Sequence, residues 1–136
     1  MKITGECHCG EIGYEAEIDP EKIGICHCAD CQSLSSSAFR TIAIGSAESF
    51  KLTKKAPKEY VKVAEGGNSR IQAFCPDCGS AIYATNAAGA PKAYNIRLGT
   101  SHQRDSLLPK FECWTRSSLG WLPELAQTTK YDKNPQ

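Results

Sequence analysis

Charge of a single sign is what this sequence most conspicuously lacks. Its 136 residues carry 16 Lys and Arg against 15 Asp and Glu, a formal net charge of +1. No basic run or stripe supplies the clustered positive charge that phosphate-backbone binding requires, which disfavours a nucleic-acid partner. Long hydrophobic runs are missing as well. Between Met1 and Cys7 the chain is already polar, and no apolar stretch has the length of a signal peptide or a membrane span. The expectation is therefore a cytoplasmic protein with no membrane partner. There is also little helical periodicity, no internal repeat, and no composition shift that would mark a second domain.

What is abundant is cysteine, with eight residues in the chain. In the reducing cytosol, thiols in such number read as metal ligands or reactive groups rather than as a disulfide framework. Short apolar runs rich in β-branched and aromatic residues alternate with Gly, Pro, Asn, Asp and Ser clusters, which predicts a mainly β fold with little helix. Strands are expected at Ile12–Ile18, Phe39–Ile44, Ser49–Leu52, Tyr60–Val63, Arg70–Phe74, Ala81–Ala84, Ala93–Arg97 and Lys110–Cys113. One scrap of helix should begin near Ala29 and pass through Cys31-Gln32 before the serines at Ser35 to Ser37. The polar segment 127–136 reads as a loosely held tail, leaving 1–126 as one zinc-binding domain.

The cysteines fall into two groups. Cys7-His8-Cys9-Gly10 places two thiols on one face of extended chain. Cys75-Pro76-Asp77-Cys78-Gly79 is a tight C-x-x-C turn, so Cys7, Cys9, Cys75 and Cys78 make the four-thiolate set of a closed structural zinc site. A redox dithiol is the rival reading of Cys75 and Cys78. It is weakened because the segment after them, Ser80 to Thr85, reads as strand rather than as the helix whose amino terminus lowers a thiol pKa.

Cys26-His27-Cys28-Ala29-Asp30-Cys31 packs three thiols into six residues with no obvious fourth ligand. Three protein ligands and one exchangeable position are the pattern of a catalytic zinc, so Cys26, Cys28 and Cys31 are the candidate catalytic ligands. A second reading closes the site with Cys113, His8, His27 or His102 and removes its chemistry. His27 should point away from the face that Cys26 and Cys28 share, and Cys113, between Glu112 and Trp114, also reads as a small buried hydrophobe. Gln32, Ser33 and Ser35 to Ser37 either line the ion or form a polar loop. Arg40, Arg70, Arg97 and Arg116 are either substrate-facing or solvated, and Phe39, Tyr83, Trp114 and Trp121 read as core or pocket-wall aromatics.

These motifs resemble the GFA family, named for glutathione-dependent formaldehyde-activating enzyme. The likeness runs through Gly5-Glu6-Cys7-His8-Cys9-Gly10-Glu11-Ile12, Cys28-Ala29-Asp30-Cys31-Gln32-Ser33, Phe74-Cys75-Pro76-Asp77-Cys78-Gly79-Ser80 and Arg116 to Trp121. It departs at Glu112, where many members carry His, and at Leu34-Ser35, which replaces a Ser-Gly pair. The resemblance implies a β-tent fold and two zinc ions per chain, one structural at Cys7, Cys9, Cys75 and Cys78 and one catalytic at Cys26, Cys28 and Cys31. It further implies a carbon-sulfur lyase that joins a glutathione-like thiol to formaldehyde or another small carbonyl. A non-catalytic zinc-stabilised module that binds protein or nucleic acid is the alternative from a different class.

Overall fold

The computed structural model describes residues 1–135, so the last residue of the expected tail, Gln136, lies outside them. The chain is mainly β, with nine strands, one short α-helix and four 3-10 turns among the described residues. In chain order the strands and helix are β1 (Lys2–Glu6), β2 (Gly13–Cys26), α1 (Ala29–Ser35), β3 (Arg40–Ser46), β4 (Lys51–Leu52), β5 (Lys58–Val63), β6 (Ser69–Phe74), β7 (Ala81–Asn86), β8 (Ala93–Arg97) and β9 (Phe111–Cys113). The spatial order is β1-β2-β3-β8-β7-β6-β5, with β4 and β9 both added to β2. Every pairing is antiparallel except that of β9 with β2, which is parallel.

Strand β2 organises the molecule. Tyr14, Ala16 and Ile18 are buried, whereas Glu15 and Glu17 face outward in the period-two pattern of a half-buried strand. The first half of β2 pairs with β1 and β4, and the second half with β3 and β9. Between Ile18 and Ile23 the register with β3 shifts. That shift absorbs exposed Asp19, Pro20, Glu21 and Lys22, which read as the end of a strand. Proline is tolerated in a sheet at such irregularities, because the ladder is already interrupted there. Strand β1, with only Ile3 as a large apolar residue, carries too little alternation to be read from sequence; Ile3 is nevertheless fully buried.

The core contains Ile3, Ile12, Ile23, Ile82, Ile96 and Leu98, together with Cys7 and Cys75. Each buried Ile contributes roughly 1.5–3 kcal/mol relative to exposure. Phe50 stacks on Tyr94 at 4.1 Å between ring centroids and meets Tyr83 edge-on at 5.0 Å, closing one end of that core. Trp121 is exposed, contrary to its reading as a core or pocket-wall residue, and the chain after it forms only a 3-10 turn at Leu122–Gln127.

Candidate metal centres

The first centre is built from two turns. After β1, Gly10 takes φ +81° and its N–H donates to the Cys7 carbonyl at 3.0 Å. After β6, Gly79 takes φ +78° and its N–H donates to the Cys75 carbonyl at 2.8 Å. A side chain at either position would meet the left-handed penalty, so glycine is what lets each turn tighten around its thiols.

The four sulfurs of Cys7, Cys9, Cys75 and Cys78 all lie within 4.8 Å of one another. Cys7 Sγ to Cys9 Sγ is 3.6 Å and Cys9 Sγ to Cys75 Sγ is 3.7 Å. Thiolates about 2.3 Å from a tetrahedral zinc stand about 3.8 Å apart, so the set fits the ion. A disulfide needs about 2.05 Å, and all eight cysteines are free. The Ile12 N–H donates to Cys7 Sγ at 3.3 Å, a polarisation suited to a thiolate.

The charge pattern of this set asks for a cation. Cys78, hydrogen-bonded to Ser80 at 3.3 Å, is brought down to about 5. Cys9 is favoured as a thiolate by the Glu11 N–H, yet burial and the thiols of Cys7, Cys75 and Cys78 drive it up to about 12. Crowded thiols cannot all ionise without a counter-ion, and a divalent metal supplies one.

The second centre sits where β2 runs into α1. Cys26 ends β2, Cys28 caps α1, and Cys31 lies in the helix, its N–H donating to Cys28 Sγ at 3.3 Å. The sulfurs of Cys26, Cys28 and Cys31 also lie within 4.8 Å of one another. Burial, then the charge of Cys26, holds Cys31 up at about 12. Three thiols this close cannot readily ionise together without a metal ion, even with Arg40 and Arg97 nearby.

None of the three histidines joins this trio. His27 is buried with its ring turned to Glu112, Nε2 to Oε2 at 2.8 Å. The ring thus turns away from the trio, as expected, but toward β9 rather than toward solvent. His102 Nδ1 pairs with Thr4 Oγ1 at 3.0 Å, and His8 is exposed on the turn of the first centre. Cys113 does come to the trio. Parallel pairing of β9 with β2 makes it the register partner of Cys26, and the His27 N–H donates to the Cys113 carbonyl at 3.1 Å. Burial and then Cys26 raise its thiol to about 11.

Two arginines are placed where sequence gave no indication of burial. Arg40 on β3 is the antiparallel partner of Cys26, and only 5% of it is exposed. Arg97 on β8 is 8% exposed and donates to Gln72 Oε1 at 2.7 Å. Arg40 Nε and Nη2 and Arg97 Nε have no hydrogen-bond partner, and neither side chain has a carboxylate within salt-bridge distance among the described residues. Burial, then proximity to Arg40, brings Arg97 down to about 9. Gln32 neither lines the trio nor floats in a loop: its Nε2 donates to the carbonyls of His27 at 2.7 Å and Ser117 at 2.9 Å. It thereby ties α1 to the segment after β9.

A cavity of about 450 Å³ opens beside Cys28, lined by Asp30, Lys62, Trp114, Arg116 and Ser117 among others. Lys62 holds Asp30 at 2.6 Å, joining β5 to α1 across the cavity. Arg116 stacks over Trp114 at 4.9 Å, which makes Trp114 a pocket wall. A larger cavity, about 530 Å³, touches Arg40 and Gln72 but none of the trio.

The model of the glutathione-dependent formaldehyde-activating enzyme family matches residues 2–117. The chain belongs to the GFA family. No curated protein matches the sequence. A crystal structure of a Rhodobacter sphaeroides protein shares the fold at a TM-score of 0.60 and 18% identity, covering 79% of this chain and 98% of its own. The chain is thus a GFA-type protein with two cysteine clusters that can hold metal, and their all-sulfur donor sets suit zinc. No helix among the described residues is long and apolar enough to cross a membrane.

Proposed function

We propose that this GFA protein is a zinc-dependent enzyme of the carbon-sulfur lyase type, activating a small glutathione-like thiol for adduct formation or cleavage with formaldehyde or another small carbonyl. In this reading Cys7, Cys9, Cys75 and Cys78 hold a structural zinc, and Cys26, Cys28 and Cys31 hold a catalytic one. The domain is 1–126, followed by the tail 127–136, and the protein works in the reducing cytoplasm. The observation that carries the reading is the asymmetry between the centres: four converging thiols in one, and three converging thiols beside a cavity in the other.

A zinc ion held by three thiolates supplies a Lewis-acidic position that favours the ionised form of an incoming thiol. The chain's own residues supply the rest. Lys62, paired with Asp30, and Arg116, paired with Glu65, line the cavity as ion pairs, so it offers a charged thiol substrate both donors and acceptors rather than net positive charge. Trp114 forms an apolar wall against which the carbonyl compound is confined. In the addition, a sulfur electron pair forms the carbon-sulfur bond and the carbonyl π pair moves to oxygen. That oxygen takes up the proton the thiol has lost, and cleavage is the reverse.

The test is the exchange rate between formaldehyde and its glutathione adduct, read by NMR with zinc-loaded protein. Acceleration over the spontaneous rate, lost in Cys28→Ser, is the expected result. A zinc-loaded protein that accelerates adduct formation of no small thiol with any small aldehyde contradicts the proposal.

A further inference from the structure

Across the sheet at the second centre, three residues stand in one row. Cys113 on β9, Cys26 on β2 and Arg40 on β3 are register partners in succession. Directly paired residues on adjacent strands project to the same face, so the row presents a thiol, a thiol and a guanidinium side by side. Arg97 joins that face through its pairing with Ile42, two residues along β3 from Arg40.

The buried cations point to how many thiolates this face must hold. Arg40 and Arg97 are each more than nine-tenths buried, carry unpartnered N–H groups, and have no protein carboxylate as counter-ion among the described residues. A buried charge without compensation is costly. A divalent ion with three thiolates has a net charge of minus one, which offsets only one guanidinium. A fourth thiolate brings the centre to minus two and neutralises both.

We propose that Cys113 is the fourth, exchangeable thiolate of the second metal centre, occupying at rest the position an incoming thiol takes over. The proposal rests on the reading of Cys26, Cys28 and Cys31 as ligands of a catalytic zinc. In the exchange, the incoming thiol gives its proton to the departing Cys113 sulfur, so charge and atoms balance and both guanidiniums stay compensated throughout. Cys113 is suited to leaving. It ends a three-residue strand, it is only half-buried, and the next residue, Trp114, turns the chain sharply at φ +56°. Its sulfur also lies outside the trio's mutual 4.8 Å grouping, whereas the first centre gathers all four. Cys28 and Trp114, the residue after Cys113, border the same cavity, so a thiol entering there approaches the centre from the side on which Cys113 leaves.

The experiment is pulsed alkylation of the folded zinc-loaded protein with N-ethylmaleimide in excess over any added thiol, with each cysteine read by peptide mass spectrometry. Expected is slow labelling of Cys113 at rest, together with the other seven, and fast labelling of Cys113 alone once reduced glutathione is present. Cys113→Ala should keep its metal content and bind glutathione several-fold more tightly, since no incumbent must be displaced; a merely structural role would not raise that affinity. If Cys113 labels quickly at rest while the trio stays protected, the inference is overturned and the open-site reading stands. If Cys113 is protected whatever thiol is added, the exchange is overturned and the open site with it. If the trio labels quickly in zinc-loaded protein, the catalytic-zinc reading fails first.

Discussion

Gly24 and Phe111 interlock: the Phe111 ring fills the space that a side chain at Gly24 would need, and a Cβ there would sit 2.4 Å from its ring carbons. The two residues are register partners, so this contact sets the pairing of β9 on β2 and brings Cys113 opposite Cys26. Gly24→Val should therefore be destabilising by about 1–3 kcal/mol through overpacking. It should also uncover Cys113 to thiol reagents while leaving the metal at Cys7, Cys9, Cys75 and Cys78. Denaturant unfolding and site-resolved alkylation check both halves.

Removing a ligand should have different consequences at the two centres. Cys75 is fully buried within the core cluster, in the turn between β6 and β7 that meets the β1–β2 turn, so on the two-zinc reading Cys75→Ser should lose a metal that contributes directly to folding. The expected result is loss of cooperative unfolding or of soluble protein. Cys28→Ser replaces a partly exposed residue whose sulfur caps a seven-residue helix with a hydroxyl that is itself a preferred N-cap, so the helix should lose little stability. It should keep the fold, lose one metal per chain and lose adduct exchange, as circular dichroism, metal analysis and NMR exchange will show.

Arg40 should act in opposite directions with and without metal. In the metal-free chain it is a buried cation with unpartnered N–H groups and no carboxylate beside it, so Arg40→Met should raise apo stability by roughly 1–3 kcal/mol. With metal bound, the same substitution removes a charge that compensates the thiolates, and metal affinity at the second centre should fall. Thermal melts of apo and zinc-loaded proteins should cross over; a loss of stability in both states would contradict this account of Arg40.

Acid should empty the centres in order. Ligand thiols must be ionised, so metal binding releases protons and weakens as pH falls. Each centre has one thiol held up at about 12, Cys9 in the first and Cys31 in the second, and one held down, Cys78 at about 5 in the first and Cys26 in the second; the second centre adds Cys113, raised to about 11. More proton displacement is needed to load the second centre, so lowering the pH should release its metal first. A chromogenic chelator during a downward pH titration reads the two releases, and the early one should be missing in Cys28→Ser.

The cysteine partition was legible in sequence because ligand spacing within each motif is local, and the joining of Cys7 and Cys9 with Cys75 and Cys78 follows from counting thiols against a tetrahedron. The alternation of Tyr14, Ala16 and Ile18 and the short helix at Ala29 were readable for the same local reason. What could not be read depends on pairing between distant strands. Arg40 and Arg97 look like solvated strand charges until β3 and β8 bring them to the inner face beside the thiols. Cys113 reads either as a fourth ligand or as a small buried hydrophobe until a parallel strand, unusual in an otherwise antiparallel sheet, carries it to Cys26. Pro20 inside a strand is legible only as a stop, because the register shift that accommodates it belongs to β2 and β3 together.

Native mass spectrometry of the reduced protein, purified without added metal and paired with ligand mapping by alkylation, bears most directly on the two-centre account. It should find two zinc ions per chain, one lost on substituting Cys75 and the other on substituting Cys28. A folded, reduced chain that carries no zinc, or a single ion insensitive to Cys28→Ser, would contradict it.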